Sequence, residues 1–316
     1  MCIRDRLASD WLVTANYLGN ASRHIWGSVD VNYSIDVPVG TAAASTSNTA
    51  QRRLLYLMNP ASNAGAAYGE IQVTDDGANA EYHALLVSVQ HRLSHNVSFL
   101  SNYTFSHCIS DWDFAGELAG VIYQNPTNRD GERGNCGFDH RQVFNTSLVV
   151  TSPGLGHSAA KLITKNWQLS PIVSLFTGNP IELSDGGKDI SLSAQLLDRP
   201  ENIVPNNVYA GGISNAGNGY TWFNPLSFAV QAAGTFGDTG RNTLYGPGAI
   251  NWDMAVSRRF EVKERWKMDI RADFFNIMNH ANWGNPGTSI ASSGTFGQIT
   301  SFGTPREIQM AVKVLF

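Results

Sequence analysis

The last eleven residues, Arg306 to Phe316, constrain this chain more than any other stretch. Ile308, Met310, Val312, Val314 and Phe316 form one apolar row, and Glu307, Gln309, Ala311, Lys313 and Leu315 form the other. A period of two marks a β-strand with one apolar side. The strand is about twice the usual ~5–6 residues of a soluble strand and matches the ~9–11 tilted residues that cross a bilayer in a barrel. Alone, it fits the edge strand of a soluble sandwich equally well, so the rest of the chain has to decide.

Composition narrows the choice. Charged residues make up 15% of the 316, against ~25% in an ordinary soluble domain. No run approaches 18 consecutive apolar residues, so no helix spans a membrane. A mean hydropathy of −0.18 is what alternating barrel strands average to. A net charge of −4 without a basic block argues against a nucleic-acid partner.

The same alternation recurs upstream. Trp252, Met254, Val256, Phe260 and Val262 alternate with Asp253, Ala255, Ser257, Arg259 and Glu261. After a Lys263-Glu264-Arg265 turn, Trp266, Met268, Ile270, Ala272 and Phe274 alternate with Lys267, Asp269, Arg271 and Asp273. A wholly charged row beside a wholly apolar one suits a barrel wall between wet lumen and lipid. Arg259, Lys267, Asp269, Arg271 and Asp273 are therefore lumen-facing candidates. Trp252, Phe260, Trp266 and Phe274, toward strand ends, are lipid-interface aromatics.

Leu85–Leu93 and Val97–Ser106 read as a hairpin around Ser94-His95-Asn96, followed by strands at Phe144–Val150 and Trp167–Leu175. Weaker strands are expected at Asp10–Leu18 and His24–Ile35, for about nine in all. Pro171, inside a strand, implies a bulge or an irregular edge. Arg258, on the apolar face, requires its side chain to reach an interface.

The connections alternate in length. Asp36–Asn79, Cys108–Phe138, Asn179–Ala249 and Asn279–Thr304 are long; Ser94–Asn96 and Lys263–Arg265 are short, and Ser152–Lys161 is moderate. Outer-membrane barrels place short turns in the periplasm and long loops outside. The fold expected is all-β, an antiparallel transmembrane barrel. Residues 1–6 lack a signal-peptide core and read as an assembly or cloning scar. That leaves 7–316 as part of a longer barrel protein.

Several motifs resemble one family. Gly240-Arg241-Asn242-Thr243-Leu244-Tyr245-Gly246-Pro247-Gly248 precedes Asn251-Trp252-Asp253, and Arg271-Ala272-Asp273-Phe274-Phe275-Asn276-Ile277-Met278-Asn279-His280 precedes Gly297-Gln298-Ile299 and Pro305-Arg306. With Phe138-Asp139-His140-Arg141 before Val143-Phe144-Asn145, they resemble the C-terminal barrel of TonB-dependent outer-membrane receptors of Gram-negative bacteria. The subgroup they resemble is the Oar-like one, with a carboxypeptidase-regulatory-like domain. The resemblance runs from about residue 80 to the end and implies a barrel of roughly 22 strands with a plugged lumen. It also implies a plug, a TonB energy-coupling system, and a barrel-assembly machinery that reads the terminal strand through Met310, Val312, Val314 and Phe316. Neither the plug nor a TonB box is found in this sequence.

Specific sites are few. Cys108 and Cys136 flank one long loop, each close to a strand end, and in an oxidising compartment they can pin it with a disulfide. No zinc spacing, histidine pair, nucleophile elbow or phosphate loop occurs, so neither cofactor nor catalysis is expected. Asp111-Trp112-Asp113 and Asp185 read as solvated loop acids sooner than as a cation site. Tyr209, Tyr220, Trp222 and Phe223, in the longest loop, are ligand-contact candidates, although packing of the loop is the favoured role for such aromatics.

The function expected is a transporter or receptor segment that anchors in outer-membrane lipid, builds the wall and carries loops for a small-molecule, oligosaccharide or peptide ligand. The alternatives are a small stand-alone barrel (porin, adhesin or surface hydrolase) and a soluble secreted β module.

Overall fold

The computed structural model describes residues 2–8, 10–94, 96–112, 123–154, 163–209, 214–215, 219–263 and 266–316. Nine long strands among them form one antiparallel meander in which each strand pairs with its neighbours in sequence. They are β1 Cys2–Ala8, β2 Trp11–Asp30, β3 Gln72–Ser94, β4 Val97–Ser110, β5 Gln142–Pro153, β6 Lys165–Phe176, β7 Ala249–Lys263, β8 Trp266–Phe275 and β9 Glu307–Leu315. The described sheet is open: β1 and β9 each pair with one strand only.

The number nine agrees with expectation, but by compensation. The segments expected as separate strands, 10–18 and 24–35, are one strand, β2, which ends at Asp30. Register shifts near Ser22, Ile25 and Gly27, with His24 at φ 58°, carry the ladder across the interruption as bulges. The six residues set apart at the N-terminus lie largely within β1, which pairs with β2. Pro171 causes no bulge. Its register with β7 runs unbroken from Phe176 to Trp167. On the β5 side, Ser147 pairs with Ile172 and Val150 with Leu169 in an unchanged register, while the ladder is interrupted at the two residues between. The missing proline N–H costs ladder bonds on one side.

The pairing carries the alternation across the whole sheet. One row on one face reads Thr14, Ser88, Asn102, Asn145, Ser174 and Asn251. A row on the opposite face reads Ala15, Val87, Tyr103, Phe144, Leu175 and Ile250. A sheet with a mainly polar face and a mainly apolar one suits a wall between water and hydrocarbon. Trp252 and Phe274 lie at the long-loop end of this apolar face, and Phe260 and Trp266 at the short-turn end. Eight positions separate Trp252 from Phe260, about 26 Å of strand at ~3.3 Å per residue, or ~20 Å along the membrane normal at the ~40° tilt of barrel strands, most of the ~25 Å apolar band.

Arg258 shares that face, in one row with Ile270 and Val312. Its guanidinium lies 4.4 Å from the Phe260 ring centroid and 5.2 Å from that of Trp167. Trp167 shares its row, and Phe260 stands two residues nearer the short-turn end, so the charge leans toward that interface on a π surface. At ~3.3 Å per residue, β2 and β3, with 20 and 23 residues, exceed the membrane span and stand clear of it on the long-loop side.

Candidate functional site

All four long connections emerge at one end of the sheet, and the 177–248 connection holds the others together. Its core is Ile181, Leu183, Val208, Phe223, Phe228 and Leu244, joined by Phe296 from the 276–306 connection. The Phe223, Phe228 and Phe296 rings meet edge to face at 5.2–6.0 Å, a preferred aromatic geometry. Phe296 reaches this cluster because Trp222 N donates to Gly297 O at 2.7 Å. Gly297 itself sits at φ 75°, a conformation that favours glycine.

The 111–141 connection is joined through charge. Arg199 donates from Nη1 and Nη2 to the Glu132 carboxylate at 2.7 and 3.1 Å, and from Nε to Thr239 O at 2.9 Å. Glu182 stands 3.2 Å from the same guanidinium. Both Arg199 and Glu132 are buried. Burial by itself would lower the Arg199 pKa, but the bonds to Glu132 and its charge hold it above the ordinary value. Arg241 donates to Glu132 O at 2.7 Å and to the carbonyl of Ser110. Asn135 and Asn242 exchange amide bonds at 2.8 and 2.9 Å.

The 31–71 connection docks through polar atoms as well. Ser34 N donates to Ser193 O at 2.9 Å, and the fully buried Arg52 donates to Leu192 O at 2.7 Å and Ile35 O at 2.7 Å. Asp30, where β2 ends, accepts from Asn32 N, Ile71 N and the Gln195 amide. The four long connections thus close over one end of the sheet as a packed and hydrogen-bonded layer.

The residues singled out by sequence fall in different parts of this layer and sheet. Cys108 and Cys136 are disulfide-bonded with Cα atoms 5.4 Å apart. Phe223, 1% exposed, has no surface to offer a ligand, and Trp222 is packed beside it with its indole N–H on Tyr245 O at 2.7 Å. Tyr209 and Tyr220 do reach the surface. The Tyr209 hydroxyl accepts from Tyr245 N at 2.8 Å, and Tyr220 stacks on Trp283 at 5.6 Å. Asp185 is not a solvated acid: it is 1% exposed, and burial raises its pKa. Asp111 caps Asn79 N, while Asp113 lies outside the described residues. Among the described residues no three His, Cys, Asp or Glu side chains gather to hold a metal.

On the polar face of β7 and β8, Arg259 and Asp269 stand opposite each other and form a two-pronged pair at 2.7 and 3.0 Å. Arg271 pairs with Asp273 along its own strand at 2.8 Å. Lys267 faces Glu261 in the register, and Asp269 also faces Lys313. Arg259, Asp269 and Arg271 border a cavity of ≈ 450 Å³. At the end of the sheet, Phe316 is 91% exposed and its ring lies 5.7 Å from Trp266. Met310, Val312 and Val314 alternate on the exposed edge strand. Of the residues that lock the loop layer, Arg241 lies in the quoted Gly240–Gly248 run, whereas Arg52, Glu132 and Arg199 carry no motif that marks them. Their signal is their charge, scarce in loops of this composition.

The comparisons agree with this geometry. The family model for the outer membrane beta barrel domain matches residues 3–309. The outer membrane transporter YddB from Escherichia coli superposes with a TM-score of 0.50 at 8% identity, over 99% of this chain and 31% of that one. The siderophore receptor PiuA from Acinetobacter baumannii gives 0.43 at 8% identity, over 99% and 28%. The chain therefore spans about a third of the length of these solved structures. No curated protein matches it. From the two-faced nine-strand sheet and the family match together, the chain belongs to the outer membrane beta barrel domain family and resides in the cell outer membrane.

Proposed function

We propose that this chain is the C-terminal barrel segment of a TonB-dependent outer-membrane transporter or receptor of the Oar-like subgroup. In this reading the apolar face anchors it in lipid. The charged row Arg259, Lys267, Asp269, Arg271 and Asp273 faces the lumen and a plug of the same protein. The barrel-assembly machinery reads Phe316 and the alternating residues before it. Uptake is energised through the plug by TonB, and no residue here is assigned catalysis.

The observation that carries the reading is the loop layer. Three long connections are locked onto the 177–248 loop by buried contacts such as Arg199–Glu132 and Arg52–Leu192. A porin needs an open mouth, whereas a receptor needs a preorganised surface. Tyr209, Tyr220 and its stacking partner Trp283 are the side chains that layer presents for a small-molecule, oligosaccharide or peptide ligand, and Trp222 and Phe223 support them from below.

The test is to sequence the genomic DNA upstream of codon 7. A reading frame continuing into further alternating strands, a plug and a signal peptide is expected. A start codon and signal peptide directly before Leu7 would overturn the transporter reading in favour of a small barrel.

A further inference from the structure

The 31–71 connection leaves β2 and returns to β3 through a narrow neck. Val31 N donates to Ile71 O at 2.9 Å, and Asp30 Oδ1 accepts from Asn32 N at 2.8 Å and Ile71 N at 3.0 Å. Above the neck the connection is organised on one guanidinium. Arg52 donates to Asn48 Oδ1 at 2.9 Å, Ser45 O at 3.0 Å and Ile35 O at 2.7 Å. All three acceptors belong to the connection itself, so it carries its own shape.

Its docking on the rest of the layer is of another kind. Among the described residues, none of 31–71 belongs to the apolar core built on Phe223, Phe228 and Phe296. The hydrogen bonds that dock it converge on residues 192–195. Ser34 N donates to Ser193 O at 2.9 Å, Ser34 Oγ and Arg52 Nη1 donate to Leu192 O, and the Gln195 amide donates to Asp30 Oδ2 at 3.0 Å. The 111–141 connection, by contrast, carries the buried Glu132–Arg199 pair and the Cys108–Cys136 bridge, and 276–306 puts Phe296 into the core.

The segment that receives the docking bonds is strained. Leu192 stands at φ 59° and Ala194 at φ 68°, in the left-handed region that L side chains avoid. An extended segment turns successive carbonyls to opposite sides, whereas this one presents Leu192 O and Ser193 O together to Ser34. Such conformations persist where the surroundings over-determine them, and they gather at switch regions. Here part of what holds them is the connection that docks.

We infer that 31–71 is a strap latched by residues 192–195. It swings out about its neck as one body, and the left-handed segment relaxes as it leaves. Release exchanges hydrogen bonds for water at small net cost and relieves the strain at Leu192 and Ala194. Arg52 keeps the shape of the strap, and the aromatic core keeps the 177–248 and 276–306 connections packed. Docked, the strap closes the layer above β2 and β3; released, it opens the layer there.

The test is hydrogen exchange of the intact protein in phosphatidylcholine vesicles, resolved to single amides and corrected for intrinsic rate. In the wild type the Ser34 amide should exchange at least about tenfold faster than those of Val31 in the neck and of Trp222 and Cys136 elsewhere in the layer, the mark of a local opening. Ala194→Gly removes one methyl from a half-buried position and accepts the left-handed conformation freely. It should slow Ser34 exchange about threefold, because the relief outweighs the added backbone freedom. Ala194→Val, branched at the same φ, should speed Ser34 exchange and leave Trp222 and Cys136 unchanged. A docking contact without stored strain would not tighten when a methyl is removed from its acceptor segment. Ser34 exchanging as slowly as Trp222 and Cys136 in the wild type overturns the strap, whether or not the variants assemble. Ser34 exchange unchanged or faster in Ala194→Gly overturns the latch, and so does an assembled Ala194→Val protein with Ser34 unchanged.

Discussion

Arg199 and Glu132, 67 residues apart in sequence, meet as a buried two-pronged ion pair at 2.7 and 3.1 Å that fastens the 111–141 connection to the 177–248 loop. The geometry is the fork-to-fork arrangement that only arginine offers a carboxylate.

Arg199→Met should therefore loosen the outer layer and spare the sheet. Removing one partner leaves a buried carboxylate unpaired, at a cost of about 3–5 kcal/mol. Limited proteolysis should cut within 123–141 and 199–245 at far lower protease concentrations, while the heat-resistant migration of the folded barrel stays unchanged. Arg199→Lys should behave nearly as badly, since an ammonium cannot span both carboxylate oxygens. Normal protease resistance in either variant would remove the pair from its fastening role.

Reducing Cys108–Cys136, or replacing both by alanine, should release the same connection from β4. The bridge closes a separation of 28 residues, for which chain entropy gives about 3–4 kcal/mol. The loss should be read as faster hydrogen exchange at Cys108, Cys136 and Asp139, whose amides donate to Asp139 Oδ1, Cys108 O and Cys136 O.

The 185–198 segment should tighten in mild acid. Burial pushes the Asp198 carboxyl up to about 6, and Asp185 and Asp189 are raised by the same cause. A raised carboxylate pKa means that the fold favours the protonated form. The associated stability is complete below the unfolded value near ~3.9 and is lost as pH rises through about 6. Asp198 Oδ2 accepts from Ser191 N at 2.7 Å, so exchange at the Ser191 amide, corrected for intrinsic rate, should be slower at pH 5 than at pH 7.5. In Asp198→Asn the difference should shrink, with protection at pH 7.5 rising toward the acid level. A pH-independent wild type would show that Asp198 does not titrate in this range.

The two faces of β7 can be told apart by one charge. Val256→Arg, in the middle of the apolar row between Leu169 and Ala272, should destabilise the barrel in vesicles by about 2–4 kcal/mol. Ser257→Arg, one residue on, faces Gln168 and Arg271 and should cost much less. Equal losses in denaturant titration would argue that neither face meets lipid.

Phe316→Ser should separate assembly from stability. The ring is 91% exposed and touches little beyond Trp266, so the melting temperature of inserted protein should barely change. The amount reaching the outer membrane should fall severalfold if the terminal aromatic is what the assembly machinery reads. A fall in both together would point to packing instead.

The sequence by itself determined the two faces of the strands from Leu85 onward, the alternation of long and short connections, and the membrane span. All of these follow from period-two chemistry and from the cost of leaving backbone polar groups unpaired in lipid. It also marked Arg258 as the charge that has to lean toward an interface. Tertiary structure alone decided what the loops became. Arg52 with Leu192, Glu132 with Arg199 and Asp30 with Gln195 are partners 140, 67 and 165 residues apart. No local pattern encodes contacts of that range. The same limit explains β2. Residues 19–23 interrupt the apolar pattern that separated two expected strands, yet 19–22 pair with 80–83 because β3 runs alongside and completes the ladder. It explains Pro171 as well, where the neighbouring β7 holds the register that the proline was expected to break. A strand's face is fixed by its own residues, whereas its length and the burial of a loop are fixed by what packs against them.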